Sequence, residues 1–200
     1  MRLAFGDRLS GVAADGTELR APVFDENAVR AAAGLTMVIG AVAFAFAYFD
    51  ENYVPLQVAA TLFFVEFLVR VTAGLRYSPV GAVARALVRG RPPQWVSAKP
   101  KRFAWTLGLG LSFAMTIITN SGIRGTLPRA ICLVCLTLMW LEAVLGLCLG
   151  CKLHALMVRR GWTTKDPAFE ICANGECALP AAVTGLTNDA LPAPAHRAAV

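Results

Sequence analysis

The stretch that decides the fold is Ala31–Phe49, AAAGLTMVIGAVAFAFAYF, nineteen residues without a charged side chain. A helix rises about 1.5 Å per residue, so roughly 20 such residues cross a hydrocarbon core. Three further runs follow the same rule, giving expected spans at about 31–49, 54–75, 103–119 and 127–151. The fourth run starts near Leu127 and continues without an obvious breaker to about Val158, so its end projects beyond the bilayer. The composition agrees: 56% of residues are hydrophobic and 16% are charged, against about 25% charged in soluble domains. The expected fold is all-α, a polytopic membrane bundle of about four transmembrane helices within residues 31–158, with the lipid bilayer as its surroundings.

Working outward, residues 1–30 read as a polar cytoplasmic lead-in with turn signals at Gly6-Asp7 and Asp15-Gly16. They lack the basic start and short apolar core of a cleaved signal, so the first run is expected to stay as an anchor. Asp25-Glu26-Asn27 places acidic residues where a helix N-terminus favours them. Between the second and third runs, residues 76–102 hold seven basic side chains and no acidic one. By the positive-inside rule this loop faces the cytoplasm, and with four spans both termini do too. Residues 79–88 suit a short basic interfacial helix, whereas Arg91-Pro92-Pro93 through Lys99-Pro100-Lys101 is expected not to form regular helix. Residues 159–178 form a cytoplasmic cysteine-containing segment, and 179–200 an Ala/Pro-rich tail expected to be disordered. The net charge of +6 is carried by lysines and arginines set between apolar runs, with no nucleic-acid-binding motif; no nucleic-acid partner is expected.

The chemistry lies in six cysteines, arranged as Cys132/Cys135, Cys148/Cys151 and Cys172/Cys177. Close pairs in a membrane protein suggest redox or metal work more than a secreted disulfide scaffold. On one straight helix, Cys135 and Cys148 lie about 20 Å apart and the two pairs point to roughly opposite sides. Cys148 and Cys151 then sit near a helix C-terminus, whose dipole disfavours a thiolate; Lys152 and His154 are nearby to offset it. Cys132 and Cys135 lie in apolar surroundings that suit packing equally well. Cys172 and Cys177 bracket an Asn174-Gly175 turn and suit a redox shuttle. Counted together, Cys148, Cys151, Cys172 and Cys177 give C-x2-C-x20-C-x4-C, near the spacing of four-thiolate zinc or iron sites.

Three polar residues fall inside the spans. Glu66 and Arg70, four apart, share a helical face and are expected to pair. Glu142 lies seven residues after Cys135 on the same face; it suits either a proton-handling role or an interhelical hydrogen bond. If their helices meet, Glu66 and Glu142 are expected to share one polar site. Gly146-x-x-x-Gly150, and Gly108, Gly110 and Ser112, suit close helix packing within the bundle or between copies in a homo-oligomer.

Gly146-Leu147-Cys148-Leu149-Gly150-Cys151, with Arg91-Pro92-Pro93 and Lys101-Arg102-Phe103 before the third span, resembles the bacterial integral-membrane family domain of unknown function 4395 over about residues 24–160. The Cys132/Cys135 and Cys172/Cys177 pairs do not map onto its general pattern. The resemblance implies a bacterial inner-membrane protein. Through the family's association with thioredoxin-like and rhodanese-like proteins, it also implies thiol-disulfide or sulfane-sulfur chemistry.

Three functions stay open from sequence. The first is exchange with a cytoplasmic partner through Cys148 and Cys151. In the second, the four-cysteine set holds zinc or iron in a structural module. The third is a sulfur-compound transporter subunit with Glu66 and Glu142 along its path, which would need oligomers. No cofactor is required by the sequence.

Overall fold

The computed structural model describes residues 7–12, 18–163 and 184–188. The chain runs β1 (Asp7–Val12), β2 (Glu18–Asp25), α1 (Glu26–Phe49), α2 (Val54–Thr72), a 3-10 turn (Leu75–Tyr77), α3 (Pro79–Leu87), β3 (Trp95–Ser97), α4 (Ala98–Asn120), α5 (Thr126–Leu145), α6 (Leu149–Arg159) and β4 (Thr184–Asn188). Helices α1, α2, α4 and α5 are each long and apolar enough to cross a membrane. Many of their large side chains, among them Val38, Val58, Leu62, Phe113 and Leu133, point away from the protein. Phe49 is 78% exposed, and the apolar window of α5 is only 11% buried by protein. Such a surface is stable only against lipid.

Small residues face inward instead. Ala28, Ala32, Ala43, Ala47, Ala59 and Ala60 are buried in the two core clusters, which lets helix backbones approach closely. Gly108 lies on such a seam: a Cβ there would sit 2.9 Å from the Phe67 ring, whereas one at Gly110 would meet nothing within 4 Å. Of these two α4 glycines, only Gly108 serves the α2 contact. At one end of the bundle Gln57 donates to the Thr119 carbonyl (2.7 Å) and Arg129 to that of Ala47 (3.1 Å), tying the α1–α2 turn to the α4–α5 turn.

Two boundaries differ from expectation. Within the polar lead-in β1 and β2 pair antiparallel, and they join β3 and β4 in a sheet of order β3-β2-β1-β4; β4 lies inside the 179–200 tail expected to be disordered, where backbone pairing with β1 orders Thr184–Asn188. The 13–17 stretch joining β1 and β2 lies outside the described residues. Helix α1 starts at Glu26 because Asp25 caps it, accepting the Asn27 N–H at 3.1 Å. Likewise Lys99-Pro100-Lys101 is helical, not irregular; it forms the first turn of α4. There a proline's missing N–H costs nothing, because first-turn donors have no intrahelical acceptor. Residues 79–88 do yield a helix, α3, which Ser78 caps by accepting the Gly81 N–H at 2.9 Å and which Pro79 opens.

Candidate functional site

The fourth apolar run is not one helix. Helix α5 ends at Leu145, and Gly146 adopts the left-handed conformation (φ 67°, ψ 17°) that glycine tolerates best. Its N–H donates to the Glu142 carbonyl (3.1 Å), and that of Leu147 to Leu141 (2.9 Å). Arg30 of α1 reaches across to donate to the Ala143 (3.2 Å) and Val144 (2.8 Å) carbonyls. A cation on the last carbonyls offsets the negative end of the α5 dipole.

The chain then restarts as α6 with Cys148 as its N-cap (φ −84°, ψ 99°). The Cys148 Sγ accepts the Cys151 N–H at 3.2 Å, and the two cysteines form a disulfide across Cα atoms 5.1 Å apart. This corrects the expected placement at a helix C-terminus. The pair opens a helix, where the dipole favours negative charge on sulfur, so Lys152 and His154 are not needed to reverse it. Both cysteines are buried, Cys148 3% and Cys151 1% exposed. Gly150 seats α6 on α4: a Cβ there would lie 2.6 Å from the Ala104 Cβ. Gly146 and Gly150 therefore do not form one helical G-x-x-x-G stripe; the first ends a helix and the second packs one. On α6, His154 lies against the Phe103 ring (centroids 5.7 Å apart). Burial, then the nearby Lys99 charge, hold its pKa below the ordinary 6.5.

Beside this turn three helix ends meet. Lys101 of α4 is 2% exposed and lies 2.8 Å from Glu26 of α1 and 2.7 Å from Glu142 of α5. A cation near a helix N-terminus and a carboxylate near a C-terminus are each unfavourable to the local dipole. Opposite charge in contact compensates both. Glu142 is thus hydrogen-bonded between helices, and Lys101 and Glu26 are partners that sequence reading missed. By sequence, Lys101 belongs to the basic 76–102 loop. The apolar run that follows it directly was the available signal that it opens a helix.

A second buried group is separate. Arg70 pairs with Glu66 at 2.8 Å and donates to Thr36 (3.3 Å), while Ser78 donates to Glu66. Glu66 pairs with Arg70 as the i, i+4 spacing predicts. It does not share a site with Glu142; the two carboxylates belong to different ion-pair groups.

Both groups border one cavity of about 450 Å³, which Arg70, Lys101 and Glu142 line among mostly apolar neighbours. Cys148 is in its wall, and so are Cys132 and Cys135 of α5, which are free thiols. The break at Gly146 thus changes the expected arrangement, in which the two C-x-x-C pairs point to roughly opposite sides of one straight helix: Cys148, though not Cys151, lines the same cavity as Cys132 and Cys135. Cys172 and Cys177 lie outside the described residues. Among the described residues there is no group of three or more His, Cys, Asp or Glu side chains placed to hold a metal, and the four-cysteine set is represented by Cys148 and Cys151 alone.

A family profile described as "Domain of unknown function (DUF4395)" matches residues 24–159. No curated protein and no solved structure matches the chain.

Proposed function

The chain belongs to the DUF4395 family, and from its own geometry we propose that it is a membrane thiol-disulfide exchange protein whose reacting pair is Cys148 and Cys151. The observation that carries this reading is the disulfide at the start of α6, with Cys148 as N-cap and the Cys151 N–H on its sulfur. When a partner thiolate attacks one sulfur of that bond, the other leaves as a thiolate. If Cys148 leaves, it departs into the field of the α6 N-terminus, which stabilises it. The mixed disulfide is then resolved by the partner's second thiol, which leaves the pair reduced and the partner oxidised.

The protein belongs in this reading to the bacterial inner membrane, with the basic 76–102 loop and both termini cytoplasmic. The partner is a thioredoxin-like dithiol protein or, for sulfane-sulfur exchange, a rhodanese-like protein. Burial of Cys148 and Cys151 imposes a condition: the start of α6 has to open before a partner thiol reaches them. Cys172 and Cys177, on the segment that follows α6, are the natural relay.

The test is trapping. With Cys148→Ser and Cys151→Ser expressed singly, the remaining thiol should capture a dithiol protein as a reductant-sensitive mixed disulfide. The double variant should capture none through this site. Equal capture by the double variant would refute the assignment. Elemental analysis of the same samples provides the contrast: about one zinc or iron per chain, lost in the double variant, would favour the metal module instead.

A further inference from the structure

Each round of exchange leaves Cys148 and Cys151 as two thiols, so a second round requires that two electrons leave them. We propose that the cavity beside the pair binds the ring of a membrane quinone, and that this quinone reoxidises the dithiol. This rests on the thiol-exchange reading above and names its electron acceptor.

Four observations converge. The cavity, at about 450 Å³, lies within the roughly 300–1,000 Å³ typical of small-molecule sites. Its walls are overwhelmingly apolar and it sits inside a lipid-facing bundle, so its ligand is apolar and arrives from the bilayer. Phe63, Phe67 and Trp105 supply ring surfaces, against which a flat ring stacks favourably. Arg70 and Lys101 bring N–H donors into this apolar enclosure. Lys101 faces three carboxylate oxygens, two of Glu26 and one of Glu142, and its positive charge in the cavity wall draws a carbonyl oxygen of the ligand. An acyl chain fits the apolar walls but has no oxygen to meet these donors. A quinone has two carbonyls, a flat ring and an apolar tail.

The step balances. The two S–H bonds of Cys148 and Cys151 break and one S–S bond forms, releasing two electrons and two protons. The quinone takes both, and its two carbonyl oxygens become the hydroxyls of a hydroquinone.

The experiment uses the full chain in lipid nanodiscs, reduced, freed of reductant and mixed with a short-chain ubiquinone. Quinone absorbance reports reduction, and Trp105 fluorescence reports binding in a chain whose Trp95, Trp140 and Trp162 are replaced by Phe. The expected result is about one quinone reduced per chain beyond that seen with Cys148→Ser/Cys151→Ser, as a two-electron couple requires. That double variant should still show quinone-dependent quenching, because the cavity is intact. Ala60→Phe, which fills the cavity, should lose both quenching and reduction; Ala33→Phe, on the neighbouring helix, does the same should the first fail to fold. Exchange with a dithiol protein but no quinone reduction would overturn the quinone assignment and leave the exchange reading standing. Equal quenching in the filled variants would also overturn it, as simple partition into the bilayer. Cavity-dependent quenching with a pair inert to quinone and to dithiols would sink the oxidation step together with the exchange reading.

Discussion

Gly150 gives the most direct test of how the site is held. A Cβ at this position would lie 2.6 Å from the Ala104 Cβ and 2.7 Å from the Ala104 Cα. Carbon atoms in good contact stand about 3.5–4.0 Å apart, so Gly150→Ala obliges the start of α6 to retreat from α4 by about 1 Å. Overpacking of this kind costs about 1–3 kcal/mol. In a chain of this length that lowers the unfolding midpoint by about 2–12 °C. Scanning fluorimetry of the detergent-purified protein measures it, with Gly110→Ala as the control. That glycine is on α4 with nothing within 4 Å of a Cβ, so alanine there should leave the midpoint unchanged or raise it slightly through helix propensity. A companion variant sharpens the test. Ala104→Gly removes the methyl but not the Cα, so the double substitution should recover only part of the loss. A Gly150→Ala protein as stable as the parent would refute the reasoning. Full rescue by Ala104→Gly would show that the methyl alone, and not the backbone approach, sets the spacing.

The Lys101 junction and His154 supply further tests. Lys101→Met removes the cation between Glu26 and Glu142 and leaves two carboxylates without it, a loss of roughly 3–5 kcal/mol by analogy with broken buried pairs; thermal unfolding should show it, and adding Glu142→Gln should return part of the loss. For His154, burial and Lys99 depress the folded-state pKa below 6.5. Its contribution is therefore full above about pH 6.5 and is lost as pH falls through the folded value, because the unfolded chain takes up the proton first. Unfolding midpoints measured from about pH 8 down to about pH 5 should decline less in His154→Phe than in the parent; identical profiles would contradict the assignment.

The geometry also explains why one segment unites so many roles. Between Leu145 and Leu149 the chain ends a lipid-facing helix and opens another whose N-cap is a cysteine. Arg30 holds the outgoing end and Gly150 seats the incoming one. Cys148 lines the bundle's own cavity, so in the proposed cycle the electron acceptor and the protein partner use different routes.

Much of this was legible from local pattern. Four apolar runs, each long enough for a hydrocarbon core, announce four helices because backbone polar groups in lipid must bond within their own segment. Asp25 as a cap, Ser78-Pro79 as a helix opening and Glu66 with Arg70 on one face are likewise readable, since each depends on residues four or fewer apart. The break at Gly146 was not. Glycine is tolerated within an apolar helix, and the contacts that accompany the break are tertiary: Arg30 on the Ala143 carbonyl, 113 residues apart, and the close seat of Gly150 on Ala104. Nor was the meeting of Lys101 with Glu26 and Glu142, which are 75 and 41 residues distant. Such contacts are made by the arrival of three helix ends at one point, and they leave no periodicity or spacing in the chain. The amino-acid order therefore settles how many long apolar helices form and that they meet lipid. Only their packing decides that Cys148 and Cys151 open a helix rather than close one, and that Cys148 lines one cavity with Cys132 and Cys135.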